Sequence, residues 1–233
     1  MKEILEKIFE KYPKINEKLQ KNSKILQNFN NFYDFLIEKN KVMNLTAITE
    51  KEDVAVKHFL DSVFPQDYFP QNTTVLDVGA GAGFPSIPLK ILRDDLNFTL
   101  LDSLQKRVNF LNETITLLQL KNIKALHGRA EDFAKKLEFR ENFDVVTARA
   151  VANLKVLSEY CLPFVKVGGK FMAYKSADIE GEVEDAKKLI EILGCRIADI
   201  IKYDLYDNKR SLVIIEKIKE TPKNYPRKPN QIK

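Results

Sequence analysis

The sequence predicts an α/β protein: a seven-stranded, mostly parallel, doubly wound sheet that ends in an antiparallel hairpin and follows an N-terminal helical extension. Three observations lead to this fold class. From residue 73 onward, short apolar runs alternate with amphipathic segments, which is typical of a parallel sheet with helices on both faces. The last two runs are separated only by a short turn, so we expect them to pair as a hairpin. The first 64 residues show helical periodicity instead.

The N-terminal extension, residues 1–64, is predicted from the spacing of its apolar side chains. These recur three and four positions apart over residues 25–37, and a second amphipathic segment covers residues 54–63. Thr49, followed by an acid three positions later, forms a capping box that predicts the start of this second helix. Residues 65–72 are predicted to be a linker because prolines interrupt them.

The sheet domain is predicted to cover residues 73–218, and a basic tail containing several prolines follows at 219–233. Its strands are expected at 73–78, 97–102, 122–127, 143–147, 169–174, 196–203 and 211–218. Its helices are expected at 84–93, 104–119, 130–138, 152–164 and 180–193.

Composition excludes several classes of protein. The 233 residues are 44% hydrophobic and 30% charged, as in ordinary globular chains. No apolar run approaches the roughly 18 residues of a membrane span, and the charged start does not resemble a signal peptide. Cys161 and Cys195 are too few for a disulfide framework or a metal site. We therefore expect a cytoplasmic monomer without a metal and without membrane contact.

The net charge of +5 has two interpretations. Lysines are dense in residues 1–24 and in the tail, where a basic patch could follow the phosphates of a nucleic acid. A solvated lysine-rich surface explains the same charge without a partner.

A glycine-rich run, residues 75–86, lies where the first strand meets the first helix of the sheet domain, which is where open parallel sheets bind ligands. A phosphate-binding P-loop needs Gly-Lys-Ser/Thr after the glycines, but the chain has Gly-Phe-Pro. A dinucleotide fingerprint counted from Gly79 needs a third glycine where Phe84 stands. A plain turn rarely needs three glycines in five residues. The run therefore predicts a site where a ligand approaches the backbone closely.

Three further signals follow the next three strands. Asp102 could accept hydrogen bonds from both ribose hydroxyls of a nucleoside, although it or Ser103 could instead cap a helix. The backbone of Ala130 and the neighbouring acids, among them Glu131, could contact an adenine or could simply favour a helix start. Arg149 could bind a cofactor carboxylate or a phosphate, or form a surface ion pair.

The absence of certain motifs limits the kinds of reaction that the site could catalyse. No Asn/Asp-Pro-Pro-Tyr/Phe cluster for methylation of exocyclic amines follows the fourth strand, and no nucleophilic cysteine lies there. His58 and His127 are far apart and have no obvious triad partner. The pattern suits an acceptor atom that needs no deprotonation, such as the N7 atom of a purine. Catalysis would then depend on positioning and electrostatics.

Taken together, these residues resemble the family of 16S ribosomal RNA guanine-N7 methyltransferases, also called glucose-inhibited division protein B. The resemblance covers nearly the whole chain. It rests on Asn44-Leu-Thr, His58-Phe-Leu-Asp-Ser, Asp77-Val-Gly-Ala-Gly-Ala-Gly-Phe-Pro-Ser-Ile-Pro-Leu, Leu100-Leu-Asp-Ser-Leu-Gln-Lys-Arg, Gly128-Arg-Ala-Glu-Asp, Thr147-Ala-Arg-Ala and Tyr225-Pro-Arg-Lys-Pro. The chain departs from the family's common pattern at Ser86 and Ser176, where glycine is frequent, and in a short tail.

The resemblance implies a class I fold that binds S-adenosylmethionine and transfers its methyl group to N7 of a guanine in 16S ribosomal RNA or in a small-subunit particle. It implies cofactor contacts at Gly79, Phe84, Asp102, Ser103, Leu104, Ala130, Glu131 and Arg149. It implies RNA contacts at Lys106, Arg107, Arg129, Lys175, Arg210, Arg227 and Lys228, and it assigns no catalytic residue. The alternatives are a nicotinamide-dependent oxidoreductase, which Phe84 and the terminal hairpin disfavour, and a non-catalytic RNA-binding module that retains a nucleoside pocket.

Overall fold

The computed structural model describes residues 1–232 apart from the side chain of Pro229. Lys233, the last residue of the predicted tail, lies outside the described part. Seven strands form one sheet in the order β3-β2-β1-β4-β5-β7-β6. The strands are β1 (Thr74–Val78), β2 (Asn97–Asp102), β3 (Ile123–His127), β4 (Phe143–Arg149), β5 (Val165–Ser176), β6 (Cys195–Leu205) and β7 (Asn208–Lys217). The first five pair in parallel, and β7 pairs antiparallel to both β5 and β6. The predicted sheet with its terminal hairpin is confirmed.

The helices before the sheet are α1 (Lys2–Phe9), α2 (Pro13–Lys21), α3 (Lys24–Met43), α4 (Lys51–Asp53) and α5 (Asp61–Val63). A π-helix, Val54–Leu60, joins α4 to α5 without a break, so residues 51–63 form one helical segment. The capping prediction was wrong: the N-cap residue of α4 is Glu50, and no side chain caps this end. Among the described residues, no helix is long and apolar enough to cross a membrane.

In the described part of the chain, five α-helices connect the strands: α6 (Ser86–Leu92), α7 (Gln105–Leu117), α8 (Ala130–Phe133), α9 (Leu154–Cys161) and α10 (Glu180–Ile192). A 3₁₀-helix, Leu162–Phe164, follows α9. The predicted helix over 130–138 is therefore only four residues long. The predicted strand over 169–174 extends to twelve residues because it pairs along β4 on one side and β7 on the other.

The two faces of the sheet form two apolar clusters, because successive strand residues point to opposite sides. One cluster joins strand residues such as Val75 and Phe98 to the N-terminal helices, α6 and α7. The other joins residues such as Leu76 and Val146 to α9 and α10. Residues 1–64 therefore share their apolar core with the sheet.

The segment predicted as a linker is folded against the sheet domain. Phe64–Tyr68 is a 3₁₀-helix, and within it Pro65 and Gln66 are buried. Arg93 donates to the carbonyl oxygens of Gln66 and Phe69 at 2.8 and 3.1 Å. These bonds hold the connection between the helical extension and β1 in place.

Candidate functional site

The glycine-rich loop between β1 and α6 needs its glycines for conformation. Gly79, Gly81 and Gly83 have φ values of +73°, +58° and +87°, a region that other residues rarely adopt. The amide N–H groups of Gly79 and Ala80 donate to the carbonyl oxygen of Leu101 at 2.8 and 3.2 Å. These bonds fix the loop against the end of β2.

The three glycines differ in what surrounds them. A Cβ atom on Gly83 would lie 2.5 Å from Cγ1 of Ile87, and one on Gly79 would lie 2.7 Å from Cγ2 of Val151. At Gly81 the nearest atom is the oxygen of Gly79, 3.8 Å away. The loop thus packs tightly at its first and third glycines and leaves space at its second.

Asp102, at the end of β2, binds two backbone amides. Its Oδ2 accepts from the N–H of Gly81 at 2.8 Å, and its Oδ1 accepts from that of Leu104 at 2.9 Å. The N-cap residue of α7 is Leu104, so the alternative that Asp102 or Ser103 is the cap was wrong. Each carboxylate oxygen keeps a lone pair for a further donor, as a ribose diol requires.

A cavity of about 160 Å³ opens at the carboxyl ends of the first three strands. Its walls include four of the predicted cofactor residues and one predicted RNA residue: Gly79, Ser103, Ala130, Glu131 and Arg129. Val151 and Tyr160 complete the lining on the β4 and α9 side. The other four predicted cofactor residues do not line this cavity: Phe84, Asp102, Leu104 and Arg149.

Asp77 lies in β1, the strand before the glycine loop, and no role was predicted for it from the sequence. Its carboxyl is fully buried, and Oδ2 accepts a hydrogen bond from the Ser86 hydroxyl at 2.5 Å. Burial raises the pKa of this carboxyl to about 7, against the opposing effect of the Ser86 hydrogen bond. Oδ1 has no partner within the described part of the chain. The signal in the sequence was an acid inside an otherwise apolar strand.

A second cavity, of about 440 Å³, lies beyond the end of β4. Four basic side chains and one acid line it: Lys57, Arg149, Lys175, Arg210 and Asp61. Arg149 and Ala150 border this cavity, while the next residue, Val151, borders the first one. The connection after β4 therefore lies between the two cavities.

Arg149 is held by two residues of the helical extension. Its Nη1 donates to Oδ2 of Asp61 at 2.9 Å, and its Nη2 donates to Nδ1 of His58 at 2.5 Å. The other oxygen of Asp61 accepts from the Tyr203 hydroxyl at 3.2 Å and lies 3.5 Å from Nε of Arg210. Asp61 thus balances two arginines at the wall of the second cavity.

His58 is buried between Arg149 and the glycine loop. Its ring stacks on the ring of Phe84 with 4.3 Å between centroids, and its Nε2 lies 2.8 Å from Oγ1 of Thr46. Since a guanidinium can only donate, Nδ1 accepts and Nε2 carries the hydrogen. Burial, with the adjacent Arg149 charge, lowers the pKa of His58 to about 3. In the sequence, the only indication of this cluster is that His58 and Asp61 stand three positions apart. Their partner was not evident because Arg149 is 88 residues from Asp61.

The predicted RNA residues fall into two groups. Lys106, Arg129 and Lys228 are exposed or largely so. The other four lie beside acids: Lys175 binds Glu182 at 2.6 Å, and Arg227 binds the buried Glu159. Arg107 lies 3.7 Å from Asp102, and Arg210 lies 3.5 Å from Asp61.

The sheet order, the terminal hairpin and the glycine loop define the class I fold of S-adenosylmethionine-dependent methyltransferases. A SAM-dependent O-methyltransferase from Thermotoga maritima superposes with a TM-score of 0.52 at 13% identity, covering 80% of this chain and 72% of that one. A precorrin-6y C5,15-methyltransferase from Geobacter metallireducens gives 0.50 at 16% identity, covering 76% and 92%. These likenesses support the fold.

Sequence comparison identifies the family. The family model for rRNA small subunit methyltransferase G matches residues 25–212. Ribosomal RNA small subunit methyltransferase G of Clostridium botulinum is 53% identical over 216 residues, 91% of this chain and 90% of the relative. The protein of the same name from Desulforamulus reducens is 55% identical over 204 residues, 86% and 85%. The chain belongs to the rRNA small subunit methyltransferase G family and uses S-adenosylmethionine as its cofactor.

Proposed function

We propose that this methyltransferase transfers a methyl group to N7 of a guanine in 16S ribosomal RNA by direct displacement, without a general base. The names of its relatives support the ribosomal RNA substrate. The structural observation that carries the proposal is the pair of cavities on either side of the connection after β4, one beside the glycine loop and one lined by cations.

The first cavity is the proposed cofactor site. Gly79, Ser103, Ala130 and Glu131 line it. Asp102, which ends β2 beside the glycine loop, retains a lone pair on each carboxylate oxygen. When bound, S-adenosylmethionine supplies a methyl group on a sulfonium. We propose cofactor contacts at the predicted residues: Gly79, Phe84, Asp102, Ser103, Leu104, Ala130, Glu131 and Arg149. Phe84 packs on His58, whose Nδ1 accepts a hydrogen bond from Arg149.

The second cavity fits the acceptor. Its lining is rich in donors, and the edge of guanine that carries N7 and O6 presents only acceptors to the major groove. Arg149 borders this cavity, and we keep the predicted contact between its guanidinium and the cofactor carboxylate.

The His58 ring and the Asp61 carboxylate of the second cavity are both engaged in hydrogen bonds, which agrees with attack by a lone pair. His58 Nδ1 is engaged by Arg149, and both oxygens of Asp61 accept hydrogen bonds. The acceptor guanine must be unstacked to enter a cavity of this kind.

The proposed RNA phosphate contacts are the predicted set: Lys106, Arg107, Arg129, Lys175, Arg210, Arg227 and Lys228. Exposure supports Lys106, Arg129 and Lys228, and the cavity lining supports Lys175 and Arg210.

We also propose that the protein acts as a monomer in the cytoplasm. Light scattering of the purified protein would test the first point, and cell fractionation would test the second.

The deciding experiment is transfer of tritium from labelled S-adenosylmethionine to ribosomal RNA that lacks modifications, with the product nucleoside identified. Labelled 7-methylguanosine in 16S RNA is the expected result, from naked RNA or from 30S particles. Label in transfer RNA or in protein, or at another atom of the base, would overturn the proposal. The cofactor assignment has its own readout, which is calorimetric binding of S-adenosylmethionine without RNA.

A further inference from the structure

We propose that Tyr160 is a further cofactor-binding residue, whose ring packs against the adenine of S-adenosylmethionine. Tyr160 lies in α9 and belongs to none of the strand-end motifs from which the site was predicted. The inference rests on the proposed function in one respect, because it takes the first cavity as the cofactor site.

The size and the lining of the first cavity indicate which part of the cofactor it holds. Its volume is about 160 Å³, whereas pockets for drug-sized ligands measure about 300 to 1,000 Å³. Asp102 and Arg149, proposed for the ribose and the carboxylate, lie outside its lining. Ala130 and Glu131, at which an adenine contact was predicted, lie within it. The adenine is therefore the part of the cofactor that fits this cavity.

The side chains around the cavity suit a flat heterocycle. Its apolar surface comes from Val78, Leu101 and Val151. Tyr160 is the aromatic residue of this lining in the described part of the chain. A nucleobase presents two flat π-faces, and aromatic side chains stack on such faces in proteins. Tyr160 is thus the residue of the lining whose ring can cover a face of the adenine.

Tyr160 also lies near the polar group proposed for the edge of the base. Burial raises the pKa of its hydroxyl, and the charge of Glu131 raises it further. Glu131 is 5% exposed, and its carboxylate lies 3.7 Å from Nη1 of Arg129. A carboxylate accepts hydrogen bonds, and the N6 amino group of adenine donates them. One cavity therefore combines an aromatic ring for the face of the base with an acceptor for its edge.

The backbone that carries Tyr160 is held in place by its neighbours in α9. Glu159 is completely buried and bound by Arg227 of the tail. Leu157 and Cys161 are buried in the apolar cluster on this side of the sheet. Tyr160 itself is only partly buried, so its ring keeps accessible surface on a fixed helix. Contact residues that the scaffold already orders lose little conformational freedom when a ligand binds.

The first experiment measures binding to the intact enzyme by calorimetry. The ligands are S-adenosylmethionine and 5′-methylthioadenosine, which keeps the nucleoside but lacks the amino-acid part. Tyr160→Ala should weaken the binding of both by the same factor, about 5- to 100-fold, as for loss of an aromatic ring that stacks on a base. Tyr160→Phe keeps the ring and should bind both ligands as wild type does. Val156→Ala, one turn earlier in α9 and outside the lining, is the matched control and should also match wild type.

Kinetics supply a readout that a merely structural role would not move. In Tyr160→Ala the KM for S-adenosylmethionine should rise by the same factor, while kcat and the KM for RNA should not change. The reason is that the ring contacts the adenine equally in the ground state and in the transition state. A loss of kcat, or an equal rise of both KM values, would overturn the inference.

A second substitution keeps an aromatic ring at this position and decides the question if Tyr160→Ala fails to fold. The chain contains no tryptophan, so Tyr160→Trp introduces a single indole whose emission reports on a base packed against it. Tyr206→Trp, at a residue that is 44% exposed and outside the first cavity, is the control. S-adenosylmethionine should change the emission of Tyr160→Trp in a saturable way and leave that of Tyr206→Trp unchanged.

Three results would overturn the inference without touching the proposed function. They are unchanged affinity in Tyr160→Ala, a loss for S-adenosylmethionine that 5′-methylthioadenosine does not share, and an emission of Tyr160→Trp that does not respond to bound cofactor. In each case wild type would still form 7-methylguanosine in 16S RNA. A wild type that binds the cofactor but forms no 7-methylguanosine would instead overturn the proposed function and leave the assignment of Tyr160 intact.

Discussion

Arg227 binds the carboxylate of Glu159 through both its side chain and its own backbone. Its Nε and Nη2 donate to the two oxygens at 2.9 and 2.6 Å, and its backbone N–H donates to Oε1 at 2.7 Å. Glu159 lies in α9 and is completely buried, whereas the Arg227 side chain is 34% exposed. The tail therefore supplies the positive charge for an acid beside the first cavity, because the next residue, Tyr160, lines that cavity.

Replacement of Arg227 by alanine should lower the free energy of unfolding by about 2 to 3 kcal/mol, since it removes the guanidinium and leaves the buried carboxylate with only the backbone N–H of residue 227. Urea denaturation followed by circular dichroism measures this change. Lys228→Ala, at the neighbouring exposed position, is the control and should stay within about 0.5 kcal/mol of wild type. Equal stability of the two variants would contradict the structural role of Arg227.

Alanine substitutions at two glycines of the loop should affect the free energy of unfolding and the affinity for the cofactor to different degrees. Gly83→Ala should destabilise the fold by about 1 to 3 kcal/mol, because it combines a left-handed φ with a clash against Ile87. Gly81→Ala should cost only about 1 to 2 kcal/mol of conformational strain while weakening cofactor binding measured by calorimetry, because its Cβ enters the open space. Gly181→Ala, in α10 with open space around it, should stabilise by about 0.5 to 1 kcal/mol. Unchanged affinity in Gly81→Ala would place the cofactor elsewhere.

Asp77 should make stability depend on pH. Its pKa is raised from 3.8 to about 7 in the folded protein, so between these values the folded state keeps a proton that the unfolded state has lost. The stabilisation is complete below pH 4 and is lost as the pH rises towards 7, at about 1.4 kcal/mol per pH unit. Asp77→Asn, which cannot ionise, should lack this slope in chemical denaturation at a series of pH values. The difference between wild type and variant isolates this carboxyl, and a constant difference from pH 4 to 7 would refute the prediction.

His58 should remain neutral, with its hydrogen on Nε2, throughout the range from pH 5 to 9. Its pKa is lowered from 6.5 to about 3, so its contribution to stability is full above pH 6.5 and declines as the pH falls towards 3. Imidazole ¹⁵N chemical shifts measure both the charge and the position of the hydrogen. A shift pattern with the hydrogen on Nδ1 would mean that Arg149 does not donate to this ring.

Salt dependence should distinguish phosphate contacts from internal ion pairs. Each neutralised phosphate contributes a slope of about −0.7 to −0.9 to the plot of log K against log salt concentration. Lys106→Ala and Lys175→Ala should each reduce the magnitude of this slope by that amount in binding titrations with 16S RNA fragments. Asp67→Asn, which alters charge away from both cavities, should leave the slope unchanged. An unchanged slope in Lys175→Ala would assign that lysine to Glu182 alone.

Local sequence was sufficient for much of the fold. Alternation of apolar runs and amphipathic segments determined the seven strands, and the short turn between the last two determined their hairpin. The glycines at 79, 81 and 83 were recognisable because no other residue adopts their backbone conformation readily. The lengths of individual helices and strands were predicted less well than their order. α8 ends at Phe133, five residues before the predicted end, and the length of β5 depends on its pairing with β4 and β7.

The sequence by itself determined the fold class, the glycine loop and the family. Tertiary structure alone decided that His58 and Asp61 meet Arg149, that Asp77 keeps an unpaired oxygen, and that Arg227 belongs to Glu159. The physical reason is that hydrophobic periodicity and turn conformation are local properties of the chain. Hydrogen bonds and pKa shifts of buried charges depend on partners as far as 142 residues away, which only the folded chain brings within hydrogen-bond distance.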